Sequence, residues 1–470
     1  MTAVLTTINH YLLPVLWGWP VLLAILCAGI FYTVLLKGFQ LRHLGLWMRN
    51  TFGSLFRRKK DGGSDRGITP FQSVSTALAG SIGTGNIVGV ATAITLGGPG
   101  ALFWMWVSAL FGMMTIYGET VLGLRYRTKD TKGRWIGGAM YYLEYGVKKK
   151  WLGCIFAGAC ACAAIGMGNM TQSNAIADAL LGSLSLPKVW TGILCAVVLA
   201  IVLMGGIRRI AAVTETIVPF MSLLYLGAGF VVLAVHWNNI LPAFGQIFSG
   251  AFSFQSAAGG IGGYGIMAAM KSGLSRGIFT NEAGLGSSVM AHAAADTDEP
   301  CEQGMWGIFQ VFLDTIVVCS VTGLCILSTG VLSTGLDGGA LSSSAFETVF
   351  GVFGKHTMTV CVVFFAFATM LGWSYYGECA VRYLCGTSAF CQRHVDKIIL
   401  LYRLLYAVSA VAGSCLDLYV VWDFCGNFNG LMAIPNLYAL FRLSPQVKKE
   451  TQSYLRRKTG RPPGKSLSSP

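Results

Sequence analysis

The sequence predicts an all-α polytopic membrane protein with 11 transmembrane helices built on a five-plus-five inverted repeat. Three observations predict it. Of 470 residues, 54% are hydrophobic and only 11% are charged, whereas a soluble domain carries about 25% charged residues. Eleven apolar runs are each long enough for one crossing, which takes about 20 residues. Two of those runs, five spans apart, are interrupted by clusters of glycine.

In order, the runs cover residues 12–36, 71–96, 101–124, 152–182, 189–206, 212–235, 242–271, 304–331, 356–384, 397–415 and 417–441. The first is too long for the apolar core of a leader peptide and has no basic segment before it, so it is expected to be a retained span (1–36) outside the repeat. The two units of the repeat are then 71–235 and 242–441. The segment 445–470 is polar, basic and proline-bearing, and is expected to be a largely disordered tail.

The formal net charge of +14 is a topology signal. Lysine and arginine gather in 37–66, 125–150 and 442–465. These regions fall on one side of the alternating spans, as the positive-inside rule requires. The N-terminus is expected outside and the C-terminus in the cytoplasm of a cell whose inner membrane holds the chain. Anionic membrane lipid is the expected surface partner, and nucleic acid is not. The 14 cysteines lie mostly in spans, form no CxxC pair, and read as small packing residues.

The second run holds Ala79-Gly80-Ser81-Ile82-Gly83-Thr84-Gly85-Asn86-Ile87-Val88-Gly89. Each glycine weakens a helix by about 1 kcal/mol relative to alanine. A break at membrane depth is tolerated only where the freed peptide groups meet protein, ligand, ion or water. Freed amides at a half-helix N-terminus attract a carboxylate, and freed carbonyls attract a cation. The stretch therefore suits a small zwitterion with a metal ion. Close packing of neighbouring helices is the other reading of the same glycines.

The seventh run contains Gly259-Gly260-Ile261-Gly262-Gly263-Tyr264-Gly265, read as the second break, with Gly260 and Gly263 placed at the substrate. Paired breaks in two halves are the best sequence pointer to a transporter site. The polar stretch 271–287 follows and is expected to be a re-entrant or gating element. Arg276 and Glu282 could pair within it, and Asn281 is a weaker candidate for a substrate contact. Gln172, mid-span, either binds the substrate carboxylate or bridges two helices, because an unpaired buried amide costs about 1–3 kcal/mol. Trp373, four residues beyond Thr369 and so on the same helical face, either walls a small pocket or packs in the core. Asp178, Asp314, Glu378, Asp417 and Asp423 are expected near span ends, and Glu119 in an ion pair with Arg125 or Arg127. No phosphate-binding loop and no catalytic cluster is present in the sequence, so the chain is not expected to be an enzyme or to be driven directly by ATP.

The run Gly97-Gly98-Pro99-Gly100-Ala101-Leu102-Phe103-Trp104-Met105-Trp106-Val107-Ser108-Ala109-Leu110-Phe111-Gly112 resembles the signature of the alanine or glycine:cation symporters, within the amino acid–polyamine–organocation superfamily. Gly83-Thr84-Gly85-Asn86-Ile87, Arg276-Gly277-Ile278-Phe279-Thr280-Asn281-Glu282-Ala283-Gly284 and Asn429-Gly430-Leu431-Met432-Ala433-Ile434-Pro435-Asn436 are similar to it too, so the likeness spans residues 12 to 441. The resemblance implies a leucine-transporter-like fold and sodium-coupled import of alanine or glycine. It assigns the substrate carboxylate to the amides of Thr84 and Gly85. It assigns the co-transported sodium ion to the carbonyls of Ala79 and Ile82, with Ala366, Thr369 and Met370 from the eighth core helix. A monomer is the working expectation. A sodium-independent solute channel and a proton-coupled amino-acid carrier are the alternatives.

Overall fold

A computed structural model describes residues 12–55, 67–130, 133–252, 261–416 and 418–458. Among them, seven helices are long and apolar enough to cross a membrane, or eight when one bent pair is counted as a single span. The eleven expected spans therefore reduce, by length and composition, to an all-α polytopic architecture of seven or eight candidate spans. Several of the others are shorter or divided. Lys188–Leu203 is apolar but has only 16 residues, and within 242–271 the described helix runs to Phe252 and from Ile261.

The first candidate span, Leu12–Leu35, contains α1 (Trp19–Leu35), which packs against α4 and α17. The Tyr32 hydroxyl donates to the Leu440 carbonyl at 2.8 Å and fixes that contact. Next comes the bent pair α2 (Pro70–Ser81) and α3 (Val88–Gly97), which meet at 57°. Its start is strongly specified. Thr69 accepts from the Gln72 amide and Gln72 returns a bond to the Thr69 amide, both at 3.1 Å, with Pro70 at the first helical position. α4 (Gly100–Arg125) follows Pro99. α5 (Lys150–Ile165) continues through a π-turn, Gly166–Met170, into α6 (Thr171–Leu184). α7 (Lys188–Leu203) and α8 (Gly206–Val235) complete the first half.

The second half holds α9 (Ile240–Phe252), α10 (Ile261–Asn281), the short α11 (Val289–Ala293) and α12 (Pro300–Val311). α12 passes through a second π-turn, Phe312–Cys319, into α13 (Ser320–Thr329). α14 (Gly338–Phe350) leads to the 34-residue α15 (Val352–Cys385), then α16 (Val395–Cys415) and α17 (Leu418–Lys458). α10 lies along α3 and α4, and α15 crosses α2, α5, α6 and α8. The α2–α15 crossing is close because both sides are glycine: a Cβ on Gly372 would sit 2.7 Å from the Gly80 amide nitrogen.

Two expectations are corrected here. The break placed at 259–265 is not found in the described part of that stretch, because α10 is helical from Ile261 onward, through Gly263 and on to Asn281; Gly260 lies outside the described residues. The polar half of α10, from Lys271, is thus helix. The tail is also more ordered than its composition suggests. α17 runs on to Lys458 and is tied down by Arg125 with Glu450, by Tyr117 with Thr451 at 3.0 Å, and by Arg457 with Glu299 at 2.6 Å.

Candidate functional site

The first break is built by displaced hydrogen bonds. The last helical amide of α2 is that of Ile82, bonded to the Leu78 carbonyl at 2.7 Å. Ile82 then turns to extended backbone (φ −76°, ψ 93°), and the Gly83 amide goes to the Asn86 side-chain oxygen at 2.9 Å. The carbonyls of Ala79 to Ile82 are therefore left outside the helical ladder. A single 3₁₀ turn, Thr84–Asn86, bends the chain into α3. Every residue from Ser81 to Ile87 is buried.

Three helices close on this break. From α6, the Gln172 side-chain oxygen accepts the Thr84 hydroxyl at 2.9 Å and, more distantly, the Thr84 amide at 3.4 Å. Its amide nitrogen donates to the Met167 carbonyl inside the π-turn at 3.2 Å. From α15, the Thr369 hydroxyl packs where a Cβ on Gly83 would stand. That hydroxyl donates to the Phe365 carbonyl at 3.1 Å, leaving its lone pairs toward the break. Trp373, fully buried, donates its indole N–H to the Gly80 carbonyl at 3.2 Å. From α10, Thr280 and Phe279 face Gly85.

Ala79, Ile82, Thr84, Gly85, Gln172, Thr369 and Trp373 are thus brought together. Ala366 lies one turn before Thr369 or Met370 on the same face of α15. The Met370 carbonyl takes the Tyr406 hydroxyl of α16 at 2.8 Å. Gly263 is not brought there. It sits 17 residues before Thr280 on α10, about 25 Å away at 1.5 Å per residue.

A second break faces the first, between α10 and α11. Glu282 (φ 60°), Gly284 (φ 93°) and Gly286 (φ 73°) turn left-handed, and helix resumes at Val289. Glu119 of α4 accepts the Gly284 amide at 3.1 Å and the Asn436 side-chain amide at 2.5 Å. Asn436 also donates to the Gly284 carbonyl at 2.9 Å. Glu282 accepts the Ser287 hydroxyl at 2.7 Å. The segment read as a gate is therefore helix up to Asn281 and an opened turn beyond it. Asn281 itself accepts the Ala283 amide at 3.1 Å, as a cap of that turn.

Four expectations about charged residues are settled by these contacts. Glu119 is fully buried and holds the second break, while Arg125 pairs with Glu450 and Arg127 donates to the carbonyls of Ala293, Ala295 and Thr297. Asp314 is fully buried in the π-turn of α12–α13, far from any watery span end, and accepts Asn86 and Thr315, each at 2.7 Å. Glu282 binds Ser287 within its own turn. Glu378 lies in a double ion pair with Arg382 and Arg403 at 2.9 and 2.7 Å, and Asp178 in a pair with Lys188. The side chains of Asp417 and Asp423 lie outside the described residues. Asn86 and Asp314 are the site residues that sequence reasoning passed over. Asn86 stood inside the glycine motif, whereas nothing in the pattern around Asp314 announces a π-turn.

A mid-span break with freed carbonyls, walled by a long helix from the other half of the chain, is the broken-helix arrangement that recurs in secondary transporters. The profile of the sodium:alanine symporter family matches residues 1–465. The sodium/alanine symporter AgcS of Methanococcus maripaludis is 43% identical over 460 residues, covering 96% of this chain and 97% of that one. The probable sodium/glutamine symporter GlnT of Bacillus subtilis is 35% identical, covering 94% and 89%. Among solved structures, MhsT in complex with L-phenylalanine superposes with a TM-score of 0.57 at 14% identity, over 80% of this chain and 89% of that one. That likeness is one of fold. The chain belongs to the sodium:alanine symporter family and is a sodium-coupled amino-acid symporter of the leucine-transporter-like fold, not an enzyme.

Proposed function

We propose that this symporter imports alanine or glycine with sodium by alternating access, at the break formed by residues 79–89. The observation that carries the reading is the meeting of freed carbonyls, the Thr84 amide and hydroxyl, Gln172 and Thr369 at one buried point. The carbonyls of Ala79 and Ile82, with Ala366, the Thr369 hydroxyl and the Met370 carbonyl, supply the oxygen ligands that a hard cation needs. The amides of Thr84 and Gly85 take the substrate carboxylate, which displaces Gln172 from Thr84. Gln172 then serves as both helix bridge and carboxylate ligand. Trp373 bounds the side-chain pocket. Sodium stabilises the open form of the break and the amino acid binds that form, so each ligand raises the affinity of the other.

Residues 71–235 and 242–441 are read as two units of opposite orientation, the second pivoting at Glu282–Ser288. Arg125 with Glu450, Arg457 with Glu299 and Lys458 with Glu302 gather the basic ends of α4 and α17 at one end of the molecule. That end is cytoplasmic by the positive-inside rule, and the N-terminus is outside.

The test is uptake of labelled alanine into proteoliposomes holding the purified chain. An inward sodium gradient should drive accumulation above equilibrium, and unlabelled glycine should compete. Equal uptake without the gradient would point to a channel. Accumulation driven by a proton gradient alone would point to a proton-coupled carrier.

A further inference from the structure

We infer that Asp314 is a positioning residue of the sodium site, acting through Asn86, and that it ties the first break to the second. The inference rests on the reading of residues 79–89 as the site. Asp314 stands in the π-turn Phe312–Cys319 of the α12–α13 span. Such turns insert an extra residue and recur at functional sites. One carboxylate oxygen accepts the Asn86 side-chain amide at 2.7 Å, and the Asp314 carbonyl takes the same nitrogen at 3.1 Å. The other carboxylate oxygen accepts the Thr315 hydroxyl at 2.7 Å. Thr315 in turn accepts from Asn281, the last residue of α10, at 3.4 Å. A continuous chain of hydrogen bonds therefore runs from the Gly83 amide through Asn86, Asp314 and Thr315 to Asn281, from one break to the other.

The chain fixes which way Asn86 points. Its nitrogen faces a carboxylate and a carbonyl, so its oxygen must face the Gly83 amide. A charge-assisted acceptor is about twice as strong as a neutral one, so Asp314 is the group that holds this orientation. The consequence falls on Ala79. In a regular helix the Gly83 amide would bond the Ala79 carbonyl, four residues back. Asn86 takes that amide instead, and the Ala79 carbonyl stays available to a cation. Without the Asp314 carboxylate, Asn86 is held only by the Asp314 carbonyl and Cys319, so the Gly83 amide returns to Ala79 more readily and a sodium ligand is weakened. Asp314 touches neither sodium nor substrate in this account. It sets the geometry of a group that does.

The test is sodium titration of alanine uptake in proteoliposomes. Asp314→Asn should raise the sodium concentration for half-maximal uptake about tenfold, equivalent to about 1.4 kcal/mol. The alanine KM at saturating sodium should change less than about threefold, and the maximal rate should be largely kept, on the same differential-binding logic. A merely structural role would instead lower the amount of folded carrier and its maximal rate, leaving the sodium requirement where it was. Asn86→Asp alone sets two acids face to face and should be the worst variant. Combined with Asp314→Asn it restores a donor between the two positions, and should return the sodium requirement to within about threefold of the native value. A native sodium requirement in Asp314→Asn overturns the inference, as does a failure of the swap to rescue. Should Asp314→Asn yield no folded carrier, Thr315→Val is measured in its place. A rise of about threefold supports the chain, and no change overturns it. Gly85→Ala separates this from the underlying reading. Its Cβ would stand 2.6 Å from the Thr280 methyl carbon, so uptake should be lost, and undiminished uptake would remove the site from this break whatever Asp314 does.

Discussion

The two breaks solve one problem in opposite ways. Both interrupt a helix at buried depth and must satisfy the peptide groups they free. At Glu282–Ser288 side chains from α4 and α17 take both peptide groups of Gly284, while one Glu119 oxygen and the Ser288 hydroxyl are buried without a partner. Glu119 takes the Gly284 amide, and Asn436 bridges Glu119 to the Gly284 carbonyl. At Ile82–Asn86 the partners are incomplete. The Gly83 amide goes to Asn86, the Thr84 amide has a long bond to Gln172, and the carbonyls of Ala79 and Ile82 have left the helical ladder. Under the proposed function, the break whose Gly284 peptide is held by side chains is the joint, and the break with freed carbonyls is the place for ligands.

The largest effect that could upset this contrast is on stability. Glu119→Ala should strip the Gly284 amide and Asn436 of their acceptor, costing about 1–3 kcal/mol for each donor left unsatisfied. Thermal melting of the detergent-solubilised protein should fall by several degrees or the folded yield collapse. A fully stable Glu119→Ala carrier would mean the second break does not depend on that acceptor. Next in size, Thr369→Ala should raise the sodium requirement about tenfold while the order of substrate preference is kept; sodium titration of alanine uptake reads both, and an unchanged requirement takes Thr369 out of the site. Trp373→Ala should let larger side chains compete, with glutamine or leucine inhibiting alanine uptake several-fold better than in the native carrier. Competition still confined to alanine and glycine would leave Trp373 as packing and as the bond to Gly80. Smallest of all, Thr84→Val should slow uptake only a few-fold, since the amide remains when the hydroxyl is lost. Complete loss in a folded carrier would shift the role to the hydroxyl.

The first break was legible because glycine is costly in a helix and four of them in ten residues have few explanations. Gln172, Thr369 and Trp373 were legible as polar or bulky residues out of place in apolar spans, and the structure does bring them to one point. The described part of 259–265 is helix from Ile261, and Gly259 and Gly260 lie outside the described residues. The opened turn that the structure does show falls in a stretch with fewer glycines. The five glycines of 259–265 begin or precede a regular helix in the part that is described, whereas Asn281-Glu282-Ala283-Gly284-Leu285-Gly286 has fewer glycines but a capping asparagine and two left-handed glycines. Glu119 binds elsewhere than its sequence neighbours suggest. Its neighbours Arg125 and Arg127 are close along the chain, but a helix carries six residues over about 9 Å, and its partner came from α17 instead. The tail, polar by composition, is helical to Lys458 because tertiary contacts at Tyr117 and Glu299 reward it. No sequence period reports contacts of that range.

The central claim is that the first break, and not the second, grips the amino acid and its ion. An experimental density map of the symporter with alanine and sodium bound tests it most directly. The account predicts the alanine carboxylate within hydrogen-bond distance of the Thr84 and Gly85 amides, and the ion among the Ala79 and Ile82 carbonyls and Thr369. Density for both ligands at Glu282–Ser288, with residues 79–89 drawn into continuous helix, would contradict it.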